Sequence, residues 1–126
     1  WAALLSTGNL VLGATDALDQ HASFSNTSGK LALSAPGVAV LSTMPTYTVR
    51  LNQWPYGYNM YYDYLDGTSM ASPHVAGAAA LVIAAHPGWS NSQVRTQLTS
   101  TATDLGAAGR DSYFGYGLVN AAAAAQ

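Results

Sequence analysis

Cysteine is absent from all 126 residues, which excludes disulfides, thiolate metal sites and cysteine nucleophiles but leaves the compartment open. Glutamate is absent too, and charged residues make up only 8% of the chain against roughly a quarter in an ordinary soluble domain. Gly, Ser, Thr, Asn and Tyr must therefore cover much of the surface. Such a balance suits a compact protein with neutral loops, because a disordered chain combines low hydrophobicity with high charge. The four basic residues (Lys30, Arg50, Arg95 and Arg110) are scattered through a chain of net charge −2. They form no basic patch that the sequence reveals, so neither nucleic acid nor a membrane surface is expected as a partner. No stretch reaches the roughly 18 apolar residues that span a bilayer, and the apolar start from Trp1 to Thr15 lacks a basic leader region. An opening on Trp instead of Met suggests a processed or cut chain. No His, Asp or Glu cluster has metal-ligand spacing, so no metal site is assigned.

The length suits one domain with one core, since a domain of about this size hides roughly two-thirds of its unfolded surface. Three short apolar runs read as strands: Asn9 to Thr15, Leu31 to Leu33, and Val38 to Leu41, the last two parted by Ala35-Pro36-Gly37. Tyr47–Leu51 and Tyr58–Leu65 read as the arms of a hairpin around Asn52–Gly57. Met70 to Ala85 is apolar nearly all round, the pattern of a helix buried on every side. Its Pro73 is tolerated if the helix begins near Ser69, where the first amides have no internal partner to lose. Pro87-Gly88 closes that helix. Ser90 and Gln93 then have capping-box spacing, with Trp89 and Val94 placed as a hydrophobic staple, for a second helix running to about Thr101. Leu118 to Ala125 reads as a short terminal helix favoured by alanine. Helices mixed with short apolar strands indicate an α/β fold with part of a parallel sheet.

A serine hydroxyl is a weak nucleophile, so a hydrolase must give it a base and stabilise the oxyanion that forms after attack. Ser69 has part of this equipment. At a helix N-terminus, its own N–H and the positive end of the helix dipole point to where negative charge develops. Gly67 permits close approach of a substrate backbone, and Gly77 permits tight helix packing. By itself Gly-x-Ser is a weak signal.

The eleven residues Gly67-Thr68-Ser69-Met70-Ala71-Ser72-Pro73-His74-Val75-Ala76-Gly77 as a whole resemble the serine motif of the subtilisin family of serine peptidases. Val11-Leu12-Gly13-Ala14-Thr15-Asp16, Phe24-Ser25-Asn26, Leu33-Ser34-Ala35-Pro36-Gly37 and Ser42-Thr43 follow that family's order up to the serine. His86-Pro87-Gly88-Trp89-Ser90, Val94-Arg95 and Tyr116-Gly117-Leu118-Val119-Asn120-Ala121 are similar to its closing helices. The resemblance implies a partial subtilisin-like α/β fold over residues 1–126, with a central buried helix starting at the nucleophile. It also implies serine endopeptidase activity through an acyl-enzyme on Ser69, a polypeptide substrate, and a secreted location. Ser69 N–H and Thr68 are implied on the oxyanion side. Asp66, Gly67 and Phe24 are implied in substrate contact, although Asp66 also suits a turn and Phe24 a core.

The family orders its triad Asp, His, Ser, and neither the Asp nor the His context precedes Ser69 here, nor does the Asn that completes the oxyanion hole. The chain therefore resembles the C-terminal part of the domain and is expected to be inactive alone, needing the N-terminal half as its partner. No cofactor is evident; calcium, frequent in the family, is expected mostly on segments of the complete domain outside this sequence. Other arrangements remain open. Asp16 or Asp19 with His21 keeps the triad order but leaves no room for the intervening elements. His74 lies beyond one helical turn from Ser69 and suits a hydrogen-bonded core position, while His86 suits a helix C-terminus. Asn9 suits a turn better than an oxyanion donor. An α/β-hydrolase is disfavoured by Ala71 in place of the second glycine of Gly-x-Ser-x-Gly and by the lack of a histidine after Asp104 or Asp111. A non-catalytic interaction module that keeps the serine segment for packing is the alternative from another class.

Overall fold

The computed structural model describes residues 9–126, so the expectations for Trp1 to Gly8 lie outside the described residues. Eight elements follow in order. Strands β1 (Leu12–Thr15), β2 (Leu33–Pro36) and β3 (Val40–Thr43) are succeeded by a 3₁₀ turn (Arg50–Asn52) and β4 (Tyr62–Leu65). Helices α1 (Thr68–Ala85), α2 (Asn91–Ser100) and α3 (Ala121–Ala124) complete the chain. β1 and β2 pair in parallel, Leu12 opposite Leu33 and Thr15 opposite Pro36. On the other side of β2, Ser34 donates its N–H to Gly117 O (2.9 Å) and accepts from Val119 N (2.9 Å), which continues the sheet with the Gly117–Val119 segment. The Ala22–Ser25 turn covers the outer edge of β1 at Ala14, whose N–H donates to Ser25 Oγ (3.0 Å) and whose carbonyl accepts from Ala22 N (3.0 Å).

The α/β class and the parallel sheet agree with the sequence pattern, as does α2. Ser90 accepts from Gln93 N (3.4 Å), and Gln93 Oε1 accepts from Ser90 N (2.9 Å). Trp89 and Val94 line one cavity at the start of α2. Boundaries differ elsewhere for identifiable reasons. Pro36 closes β2 rather than opening a turn before β3, and the bend passes through Ala39 at φ 51°. The hairpin pairs β3 with β4, Val40 opposite Leu65, rather than Tyr47–Leu51 with Tyr58–Leu65. Asn52 prevents the expected pairing: its side chain accepts from Val49 N (2.9 Å) and donates to Tyr58 O (3.0 Å), winding the intervening chain into a compact excursion. The terminal helix is shorter than expected because Leu118 and Val119 are extended beside β2; Asn120 then caps α3 by accepting from Ala123 N (3.0 Å).

The largest correction concerns α1. Its buried residues are Ala71, Val75, Ala78 and Val82, one face packed on β1 and β2 with Leu33, Ala35, Val94, Leu98 and Ala124. Pro73, Ala76, Gly77, Ala80 and Ala84, on the opposite side, are exposed, and so are Leu81 (52%) and Ile83 (53%). A helix apolar all round is thus buried on one face only within the described residues. By length and composition alone its 18 residues would cross a bilayer, a length the sequence pattern did not suggest; a core helix meets the same test, and α1 has the packed face of one. Its first residue is Thr68 rather than Ser69, which puts Pro73 in the second turn. There the proline withholds the amide that would otherwise reach Ser69 O.

Candidate active site

The chain turns from β4 into α1 through Asp66 and Gly67, and this turn sets the serine. Gly67 adopts φ 150°, ψ 158°, a conformation that strains any side chain. It also serves as N-cap with no side chain to cap; its carbonyl instead accepts from Met70 N (2.9 Å) and Ala71 N (3.3 Å). The amides of Thr68 and Ser69 lie in the first turn, where helix geometry provides no internal acceptor, at the positive end of the helix dipole. Hydrogen-bond donors are thereby collected beside the Ser69 hydroxyl.

Three contacts tie the turn to the sheet. Gly67 N–H donates to Gly37 O (2.7 Å), and Gly37 N–H donates to Thr15 O (2.9 Å). Asp66 Oδ1 accepts from Ala39 N at 2.6 Å. A Cβ on Gly37 would lie 2.6 Å from Ala14 Cβ and 2.7 Å from Gly67 O, so this approach requires glycine. Ser69 is consequently held at the C-terminal ends of β1 and β2, where open α/β sheets bind their ligands. The sequence marked Gly37 only as a turn residue; its contact with Gly67 had no local signal, because the two are brought together by the sheet.

Ser69 is exposed. The three histidines are all engaged elsewhere. His74 Nδ1 is 2.9 Å from Met70 O, and the residue is exposed instead of packed in the core as expected. His21 lies edge-on to Tyr113 and Phe114, with centroids 5.3 and 5.9 Å away. His86 caps α1 and stacks on Trp89 at 3.8 Å with planes 6° apart. Asp16, the suggested partner for His21, accepts instead from Leu18 N and Gln20 N, both at 2.9 Å. No base for Ser69 is assembled among the described residues. Asp66 is a turn anchor by its Ala39 bond, and Phe24 is 44% exposed, not core.

Two carboxylates are held below the ordinary aspartate range. Asp63 in β4 is lowered first by the N–H of Asn59 (2.6 Å) and then by that of Tyr64 (2.7 Å). Asp111 is lowered by the N–H of Phe114 (2.8 Å), aided by those of Tyr113 and Ala107 and by the charge of His21, against an opposing contribution from burial. Neither lies in the serine turn. No group of three or more His, Cys, Asp or Glu among the described residues could hold a metal ion.

Known proteins share this sequence pattern and this fold. A model of the Subtilase family matches residues 5–117. Subtilisin from Bacillus pumilus is 46% identical over 117 residues, covering 93% of this chain and 37% of its own length. Subtilisin DY from Bacillus licheniformis is 49% identical over 118 residues with the same coverage. Among solved structures, fervidolysin from Fervidobacterium pennivorans, a keratinolytic enzyme related to subtilisin, superposes with a TM-score of 0.79 at 36% identity, over 94% of this chain and 19% of that one. The chain therefore spans 26–37% of the length of the curated subtilisins it matches. With its serine turn pinned to the strand ends and the family's pattern matched from residue 5 to residue 117, this chain belongs to the subtilase family.

Proposed function

We propose that these residues form the C-terminal part of a serine endopeptidase domain in which Ser69 is the nucleophile. The observation that carries this is the position of Ser69: exposed, in the first turn of α1, beside amides without internal acceptors, and tied through Gly67 and Gly37 to the strand ends. Ser69 Oγ attacks the scissile carbonyl of a polypeptide as its proton passes to a base. The oxyanion is stabilised by Ser69 N–H on the Thr68 side of the turn. The C–N bond then breaks with return of that proton to the leaving amine, and water hydrolyses the acyl-enzyme. The Asp66 and Gly67 backbone and the exposed Phe24 ring border the substrate.

An N-terminal half supplies the His, the Asp, the second oxyanion donor and much of the cleft. The exposed apolar face of α1 supports this, since it offers such a half a surface on which to pack. By the same assignment the complete protein is extracellular, and any calcium it holds is bound mainly outside these residues. The alternative, a serine segment retained only for packing, fits poorly with an exposed Ser69. In the longest natural chain, a fluorophosphonate probe is expected to label Ser69 stoichiometrically, and the 126-residue chain is expected not to react. Ser69→Ala should lower turnover by about 10⁶, the loss known for subtilisin itself, with the melting temperature unmoved. Retained peptidase activity in that variant would overturn the assignment.

A further inference from the structure

Three of the chain's four basic side chains, distant from one another in sequence, meet at one cavity. Lys30, Arg95 and Arg110 line it together with Asn9, Val11 and Gly29, in a volume of about 360 Å³. The fourth, Arg50, lies elsewhere, over the Tyr56 ring. In a chain of net charge −2 and only four cations, such a gathering makes a local positive field against an acidic background.

The cavity walls come from the segment before β1, two loops and α2. Arg110 is fixed in place: one terminal nitrogen, Nη2, donates to Gly29 O (2.6 Å) and Leu31 O (3.0 Å), and the guanidinium lies 5.4 Å from the centre of the Tyr116 ring. The rest of its donor fork is left for another acceptor. The carboxylates nearest Arg110 in sequence keep their charge but turn to backbone amides and do not line the cavity: Asp111 accepts from the Ala107, Tyr113 and Phe114 N–H groups, and Asp104 accepts from Gly109 N. No carboxylate among the described residues neutralises Lys30, Arg95 or Arg110.

We infer that this cavity is an anion site, separate from the serine turn, that takes an oxyanion such as a carboxylate or phosphate. The Arg110 guanidinium, oriented by its two carbonyl bonds, keeps the N–H donors of Nε and Nη1 for such a group, and Lys30 and Arg95 add two further cationic donors. The volume admits the anion with several waters, since one water occupies about 30 Å³ in the liquid. Three cations on one cavity suit a compact anion and fall short of the stripe a nucleic-acid backbone requires.

Two sources share this chemistry: a free small anion, and a carboxylate from a segment of the protein outside these residues. The test uses the longest natural chain, with inorganic phosphate as probe. Relative to sodium chloride of equal ionic strength, sodium phosphate is expected to raise the melting temperature more in the wild type than in the double variant Lys30→Gln/Arg95→Gln, because the general effect of an excluded salt is common to both. That variant, which leaves the carbonyl bonds of Arg110 in place, should bind phosphate at least tenfold more weakly by calorimetric titration. If phosphate does not distinguish the two but the double variant melts lower at low salt while Arg50→Gln does not, the site holds a carboxylate of the protein itself. Absence of both responses, or an equal response from Arg50→Gln, would overturn the inference. Peptidase activity checks that the variants are folded.

Discussion

The two faces of α1 are built from nearly the same residues and meet opposite surroundings. Ala71, Val75, Ala78 and Val82 are buried against the sheet; Pro73, Ala76, Gly77, Ala80 and Ala84 are exposed. The buried face is chosen by the strands that happen to lie beneath it, not by any asymmetry of the helix. Apolar character all round thus does not say which face packs, and among the described residues only one does. The exposed face is also the one on which Ser69 stands, so the site and the unpartnered surface are continuous.

Substitutions on each face can break or sharpen this contrast. The largest expected effect is on the packed face. Val82, fully buried, loses two methyl groups on Val82→Ala, and the chain should lose about 2 kcal/mol from transfer and cavity contributions, measured by urea unfolding. A loss below about 0.5 kcal/mol would mean the packed face is not as tight as described.

A smaller and more pointed effect is expected at Gly77, where an added Cβ would meet nothing within 4 Å. In the 126-residue chain, Gly77→Ala should stabilise by about 1 kcal/mol through helix propensity alone. In the longest natural chain the same change should destabilise if the proposed N-terminal half covers that face. The same sign in both would contradict a packed N-terminal half.

The smallest effect lies away from both faces and tests whether they respond independently of the supporting loop. Asp111 is held below its ordinary range by backbone amides, so its contribution to stability is complete above the unfolded-state pKa and declines as pH falls through the folded-state value. A shallow loss of stability in that acid range, absent from Asp111→Asn, should be superimposable in wild type and in both α1 variants.

How much of this was legible in the sequence depended on the range of the interactions concerned. The Ser90/Gln93 capping box is local, and α2 emerged with its boundaries within a residue or so. Ser69 was legible because glycine, serine and the following apolar run constrain one another over a single turn. The exposure of one α1 face was not, since it depends on what packs beside the helix. Leu118 and Val119 have helical neighbours in sequence but extended neighbours in space, and β2 prevailed. The meeting of Lys30, Arg95 and Arg110 had no sequence signal, because three separate segments deliver it. Gly37 was visible as a bend and invisible as the floor under Gly67.

The Gly37–Gly67 contact has a consequence for how this protein tolerates change in length. It closes a loop whose two ends are also joined by the β3–β4 ladder and by the Asp66–Ala39 bond, so everything from Met44 to Tyr61 hangs from fixed anchor points. The entropy of closing a flexible loop grows only with the logarithm of its length, about 0.6 kcal/mol for each doubling. Residues can therefore be inserted into or removed from the tyrosine-rich excursion at little thermodynamic expense, while Ser69 keeps its place.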